Sequence, residues 1–194
     1  RKGLVAAQVA LSFLLLVGAG LFVRSLHNLK GTDTGLVLDN LVTFRVSPVL
    51  NGYDDARGSV FYHELLDRLR ATPDVESTGI ATVALLSGGE WDSSMGVEGH
   101  KPADGEDMQA FMNAVSPGYF ATMKIPLLEG RDFTRTDERE EAVAAIVNRR
   151  FAVHFFPTTT AIGKRIGFGT GPESTLSIEI VGVVADSLYE GPRE

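Results

Sequence analysis

No cysteine occurs in the 194 residues, so disulfides, thiolate catalysis and Cys-ligated zinc are excluded together. Histidine is scarce, and His27, His63, His100 and His154 are far apart, without the His-x-x-x-His pair that grips a metal from one helix face. His63 follows the exposed side of its expected helix and reads as solvated. Nucleotide motifs are also missing. Gly163-Lys164 lacks both the glycine five positions earlier and the Ser or Thr after the lysine that a phosphate-binding loop needs, since Thr158 and Arg165 stand there. Gly167-Phe168-Gly169-Thr170-Gly171 has the wrong last spacing for a dinucleotide fingerprint and opens no helix, so it reads as a hairpin turn. Ser87-Gly88-Gly89 is not a nucleophile elbow. Asp137, Glu138, Glu140 and Glu141 lack the alternating oxygen ligands of a calcium loop and have Arg135 and Arg139 among them, which describes a solvated charged loop. No catalytic residue, cofactor site or metal site is expected.

No Asp or Glu precedes Arg24. What stands there is a run of apolar residues over 4–23, broken only by Gln8 and Ser12 and bracketed by Arg1, Lys2 and Arg24. About twenty such residues in a helix cross a ~30 Å hydrocarbon core, and flanking cations snorkel into the headgroups. A cleaved signal peptide has a shorter core, and here Leu21, Phe22 and Val23 continue past Gly18-Ala19-Gly20, so an uncleaved membrane anchor is expected. Lys and Arg are balanced across the span, which leaves its orientation open on charge alone. The chain opens on Arg1 and closes on Glu194 just after a strand-like stretch, and a longer protein with further spans is expected.

Beyond Arg24, fifteen Lys and Arg residues against twenty-five Asp and Glu leave a net charge of −10. Such a surface argues against nucleic acid and against docking on anionic lipid. About 165 residues remain for one core or two small lobes. Residues 41–47 alternate with period two, placing Val42, Phe44 and Val46 on one face of a strand. Asp54 and Asp55 then supply cap chemistry for a helix over 55–71 carrying Phe61, Leu65 and Leu69, and Pro73 stops it. A second extended stretch follows over 75–86.

Texture changes at Ser87-Gly88-Gly89-Glu90-Trp91, a glycine-rich boundary. Short strands are expected over 95–98 and 109–115. Ser116-Pro117 predicts an N-cap and first helical position for a short helix with Tyr119, Phe120 and Met123 inward. Residues 125–128 lead into a turn over 129–132. Strand, helix, strand then recurs: 142–147 is continuous and apolar, Asn148 caps a helix with Phe151 and Phe155, Pro157 ends it, and 162–168 and 176–185 complete a sheet. Two strand, helix, strand halves around an inserted β-rich segment make an α+β layout.

Five motifs in order then resemble one family: Ser116-Pro117-Gly118-Tyr119-Phe120, Ile125-Pro126-Leu127-Leu128-Glu129-Gly130-Arg131-Asp132-Phe133, Ile146-Val147-Asn148-Arg149-Arg150-Phe151-Ala152, Ala161-Ile162-Gly163-Lys164-Arg165-Ile166 and Ile180-Val181-Gly182-Val183-Val184-Ala185-Asp186. With the helix that precedes them they are similar to the MacB-like periplasmic core domain of MacB/FtsX-type ABC transporter permeases. The resemblance implies a transmembrane helix (4–23), a connector (24–38), a porter-like split βαβ lobe (39–86 plus 142–190) and an inserted, β-rich sabre-like lobe (87–141). It implies a non-catalytic domain in the periplasm, anchored in the bacterial inner membrane by a helix running outward from the cytoplasm. ATP-driven motion of the membrane helices would be transmitted to it, for export, lipoprotein extraction or control of an envelope partner. The implied partners are an ABC ATPase subunit, a second permease copy or homologue, membrane lipid, and a periplasmic adaptor or outer-membrane channel.

Trp91, the single tryptophan, stands at the expected lobe junction, where it serves as a partner contact or packs over the lobe hinge. The alternative function is a membrane-anchored extracytoplasmic ligand-sensing domain, which predicts one ligand-filled pocket and a second span leading to an effector.

Overall fold

The computed structural model describes residues 2–30, 40–84, 89, 91–138, 143–171 and 174–187. The chain divides into two units, residues 1–34 with 191–194 and residues 35–190. Most of the connector (24–38) and most of the glycine-rich boundary at 87–90 lie outside the described residues.

The first unit contains helix α1 (Lys2–Lys30). Its stretch Lys2–Ser25 is long and apolar enough to cross a membrane, and large side chains such as Leu16 and Phe22 stand exposed along it. The helix continues past Arg24 to Lys30, about two turns beyond the apolar run.

In the second unit the elements are α2 (Asp55–Arg70), β1 (Asp92–Val97), β2 (Gln109–Phe111), α3 (Tyr119–Thr122), β3 (Leu127–Gly130), β4 (Ala144–Asn148), α4 (Arg149–Phe155), β5 (Arg165–Phe168) and β6 (Ile178–Val184), with 3-10 turns at Pro48–Asn51 and Arg135–Glu138. All six strands join one sheet. Strand β6 is its axis. Parallel β4 runs along residues 179–184 of β6, while antiparallel β5 and β3 pair with 178–179 and 182–184. Because a strand has two hydrogen-bonding edges, β5 and β3 must share the edge opposite β4. Strand β1 extends the sheet from β5, and β2 ends it.

Strand β6 is buried on both faces with Glu179 alone exposed, and Val147 is the buried residue of β4. Met95, Val97, Ile166, Ile178, Ile180 and Val183 form one core, which Phe151 and Phe155 of α4 cover. Tyr119, Met123, Ile125 and Val184 form a second, with Leu41, Phe120 and Ile146 against it. Ile180 is fully buried, and burial of a side chain of that size stabilises by about 1.5–3 kcal/mol. Glycine lets β3 approach β6: a Cβ on Gly130, whose φ is +73°, would fall 2.2 Å from the Val181 carbonyl oxygen, so no other residue fits there.

Several expectations hold. The side chain of Asp54 accepts from the Arg57 amide and caps α2, and Asn148 accepts from the Phe151 amide and caps α4. Others need correction. Residues 41–47 form no strand: Val42 is 83% and Phe44 61% exposed, and no ladder partner lies beside them among the described residues. The described part of 75–86 makes an isolated bridge, Ala81 with Val115. Helix α2 buries Leu66 fully, with Phe61, Leu65 and Leu69 half-buried. Gly118, with φ +86°, and not Ser116, precedes α3, because Ser116 Oγ accepts from the Ile80 amide instead. The turn expected from Glu129 is strand β3 as far as Gly130.

Candidate functional site

Trp91 lies immediately before β1 and is 42% exposed. Its carbonyl accepts from the Met112 amide at 2.7 Å, continuing the β1–β2 register in which Asp92 faces Phe111. Strand alternation puts the indole on the side of the sheet that Met95 and Val97 bury, beyond the part that carries the core.

The densest polar constellation is one that sequence reading missed. Helix α2 faces the turn Arg135–Glu138 through two ion pairs: His63 Nε2 lies 2.6 Å from Glu138 Oε2, and Arg135 Nη2 donates to Asp67 Oδ1 at 2.8 Å. The turn is itself folded around Asp137. Arg131 donates to both oxygens of that carboxylate, from Nη1 and Nη2 at 2.7 and 2.8 Å, and the Thr134 amide and hydroxyl each donate to Oδ2 at 2.7 Å. The Asp137 side chain is 10% exposed. The Arg131 guanidinium, then the Thr134 donors, hold its carboxyl well below the usual carboxylate range against the opposing cost of burial. Asp137 in turn raises Arg131.

These contacts correct the expectation that His63 and the acidic loop are simply solvated. Glu140, Glu141 and Arg139 lie outside the described residues. The ion pairs join positions 68 and 75 apart in sequence, a separation at which no periodicity shows a contact. Only the helical face of His63 and Asp67, four residues apart, hints that both meet the same neighbour.

Two further ion pairs sit at turns. His100 Nε2 lies 2.9 Å from Glu106 Oε1, with its ring 5.1 Å from that of Phe155. The Ala103 amide and then His100 lower the Glu106 carboxyl. An open cleft of about 160 Å³ beside them is lined by Val97, His100, Pro102, Thr170 and Leu176 among others, and among the described residues its one titratable lining residue, His100, is turned to Glu106. Lys164, of the Gly-Lys pair, donates to Glu98 Oε1 at 3.2 Å while the Arg165 amide donates to Oε2 at 3.0 Å; Lys164 first, then Arg165, lowers that carboxyl. Gly163 has φ +79° and donates to the Ile180 carbonyl, so this pair belongs to the turn into β5. Among the described residues no group of three or more His, Asp or Glu is placed to hold a metal ion.

Comparison with known proteins gives a family match along almost the whole chain: the model of the MacB-like periplasmic core domain matches residues 3–192. No curated protein matches. Among solved structures, the periplasmic region of MacB from Actinobacillus actinomycetemcomitans is similar at 16% identity and a TM-score of 0.46, over 66% of this chain and 52% of that one. The extracellular domain of the noncanonic ABC-type transporter YknZ from Gram-positive bacteria is similar at 24% identity and a TM-score of 0.41, over 66% of this chain and 58% of that one. The aligned part of this chain therefore spans little more than half of either region.

Proposed function

From the premise that this chain belongs to the MacB-like periplasmic core domain family, we propose that it is the extracytoplasmic part of an ABC transporter permease, set in motion by membrane helices that respond to ATP hydrolysis on a separate ATPase subunit. The observation that carries this proposal is that the family match takes in both the apolar helix and the folded unit, so the helix is part of the family pattern. On this proposal α1 anchors the chain in the bacterial inner membrane and the unit 35–190 lies on the periplasmic side. The domain is a lever and docking surface and performs no chemistry itself. Its partners are the ATPase, a second permease copy, membrane lipid, and an adaptor or outer-membrane channel.

A division of the longer ectodomain into a porter-like lobe (39–86 plus 142–190) and an inserted lobe (87–141) belongs to the same proposal. Strands of both segments share one sheet here, so the insertion extends the porter sheet through β1, β2 and β3. Trp91 is proposed as the partner or lobe-hinge contact; an exposed tryptophan beside a sheet edge supports it.

The test is purification of the full-length protein from native membranes in mild detergent, with mass spectrometry of what accompanies it. Recovery of an ATP-binding-cassette subunit whose ATPase activity changes on deletion of residues 39–194 is expected. Recovery of a signalling effector without any ATPase would overturn the proposal in favour of the ligand-sensing domain.

A further inference from the structure

Protons of the His63 ring are spoken for on both sides. Nδ1 lies 2.8 Å from the Ser59 carbonyl oxygen, one turn back along α2, and Nε2 lies 2.6 Å from Glu138 Oε2 on the facing turn. A carbonyl oxygen and a carboxylate only accept, so both contacts are hydrogen bonds at once only when both ring nitrogens carry hydrogen, which is the imidazolium. The neutral ring has one N–H and must leave one of the two oxygens without a donor. Bond lengths of this kind belong to charge-assisted contacts.

We propose that His63 and Glu138 form a proton-operated latch, in which the imidazolium clamps the turn Arg135–Glu138 against α2 and loss of its proton loosens that turn.

The charged groups around His63 fit such a latch. From the turn it meets the carboxylate of Glu138 and, with opposite effect, the guanidinium of Arg135. On its own helix Glu64 is engaged by Arg68 at 3.6 Å, and Asp67 by Arg70 at 3.5 Å and Arg135 at 2.8 Å. Glu138 is the carboxylate within hydrogen-bonding reach of the ring. Its hydrogen bond, followed by that to Ser59, raises His63 above the ordinary value of 6.5, against burial and Arg135. A raised folded-state value means that the latch contributes in full below the unfolded histidine value and is lost as pH rises through the folded one. The Arg131 guanidinium is raised and the Asp137 carboxyl lowered, both away from neutrality, so that pair stays intact, and Arg135 to Asp67 is a second tether between the turn and α2. Opening therefore frees the turn from His63 and lets its internal hydrogen bonds break more often, while those two pairs keep it from unfolding.

The contact is partly exposed, with His63 and Glu138 side chains 39% and 35% accessible, so a moderate effect is expected. The experiment uses the full chain in detergent micelles, with the His63 ring titrated by NMR from about pH 6 to about pH 9. Hydrogen-exchange protection of the Thr134 and Asp137 amides is measured at each pH and corrected for intrinsic exchange. Both amides are hydrogen-bonded within the turn, to Asp137 Oδ2 and the Thr134 carbonyl. Protection should fall roughly two- to fivefold across the His63 midpoint. In His63→Gln it should not change with pH, and in Glu138→Gln the His63 midpoint should move down towards its ordinary value. A midpoint that Glu138→Gln leaves in place, or protection that is flat with pH in the parent or falls equally in His63→Gln, overturns the latch.

Discussion

Helices α2 and α4 begin alike and end in different surroundings. Asp54 caps the first and Asn148 the second, each accepting an amide three residues on at 2.9 Å, and each helix has an extended apolar run on either side. Around α4 those runs become β4, β5 and β6, hydrogen-bonded into the sheet, with β6 buried along nearly all of its length. Around α2 they do not. The segment 41–47 touches the rest through Leu41 in the second core and through the Val46 carbonyl, which accepts from Tyr62 Oη at 3.2 Å. The segment after α2 is tied to 113–116 largely through side chains, Ile80 with Ser116 Oγ and Val83 with the Asn113 amide, besides Thr82 to the Ala114 carbonyl, and not by a regular ladder. An alternating or apolar run fixes an extended backbone, but a ladder also needs a second strand at the right place, and local sequence does not supply one.

If the two regions differ as described, damage to the β4–β6 region should cost most. Ile180→Ala removes the fully buried side chain at the centre of β6 and should destabilise by about 2–5 kcal/mol, read as the shift in urea unfolding of the folded unit in detergent. A shift under about 1 kcal/mol would mean that this core is loosely packed and that the contrast with the α2 region is false.

The two caps sharpen the comparison at a smaller scale. Asn148→Ala and Asp54→Ala each remove a cap worth about 1 kcal/mol. Because α4 lies over the main core, the Asn148 variant should lower global stability by nearly that amount. No residue of α2 belongs to either core, so the Asp54 variant should show chiefly as faster exchange of the Arg57 and Gly58 amides, with a smaller global shift. Equal global shifts would place both helices in one cooperative unit.

What could be read from the sequence follows the same line. The caps at Asp54 and Asn148 and the end of α4 before Pro157 are written within a few residues, and the structure keeps them. Strands β4 and β6 were legible because strands in the middle of a sheet carry mostly apolar runs, with Glu179 alone interrupting β6 and Asn148 closing β4. Ser116 was misread because its hydroxyl has two uses, and a distant amide, Ile80, takes it in preference to the helix start. Gly130 resembles a turn glycine, yet its role is to let a strand pass close to the Val181 carbonyl. The His63–Glu138 and Asp67–Arg135 pairs were invisible because the fold alone makes residues 75 and 68 apart into neighbours.

The smallest expected effect tests the segment 41–47 directly. Phe44 has more apolar surface than Leu41, and on size alone its loss should cost more. Leu41 packs on the second core whereas Phe44 is 61% exposed, so the order should reverse: Phe44→Ser should stay within about 0.5 kcal/mol of the parent. Leu41→Ala should cost more, though less than Ile180→Ala, because its side chain is only partly buried. Urea unfolding of the two variants side by side, at two protein concentrations, decides the matter. A cost for Phe44→Ser approaching that of Ile180→Ala would show that Val42 and Phe44 meet a partner strand in solution. A cost that also grows with concentration would identify that strand as one from a second copy of the chain.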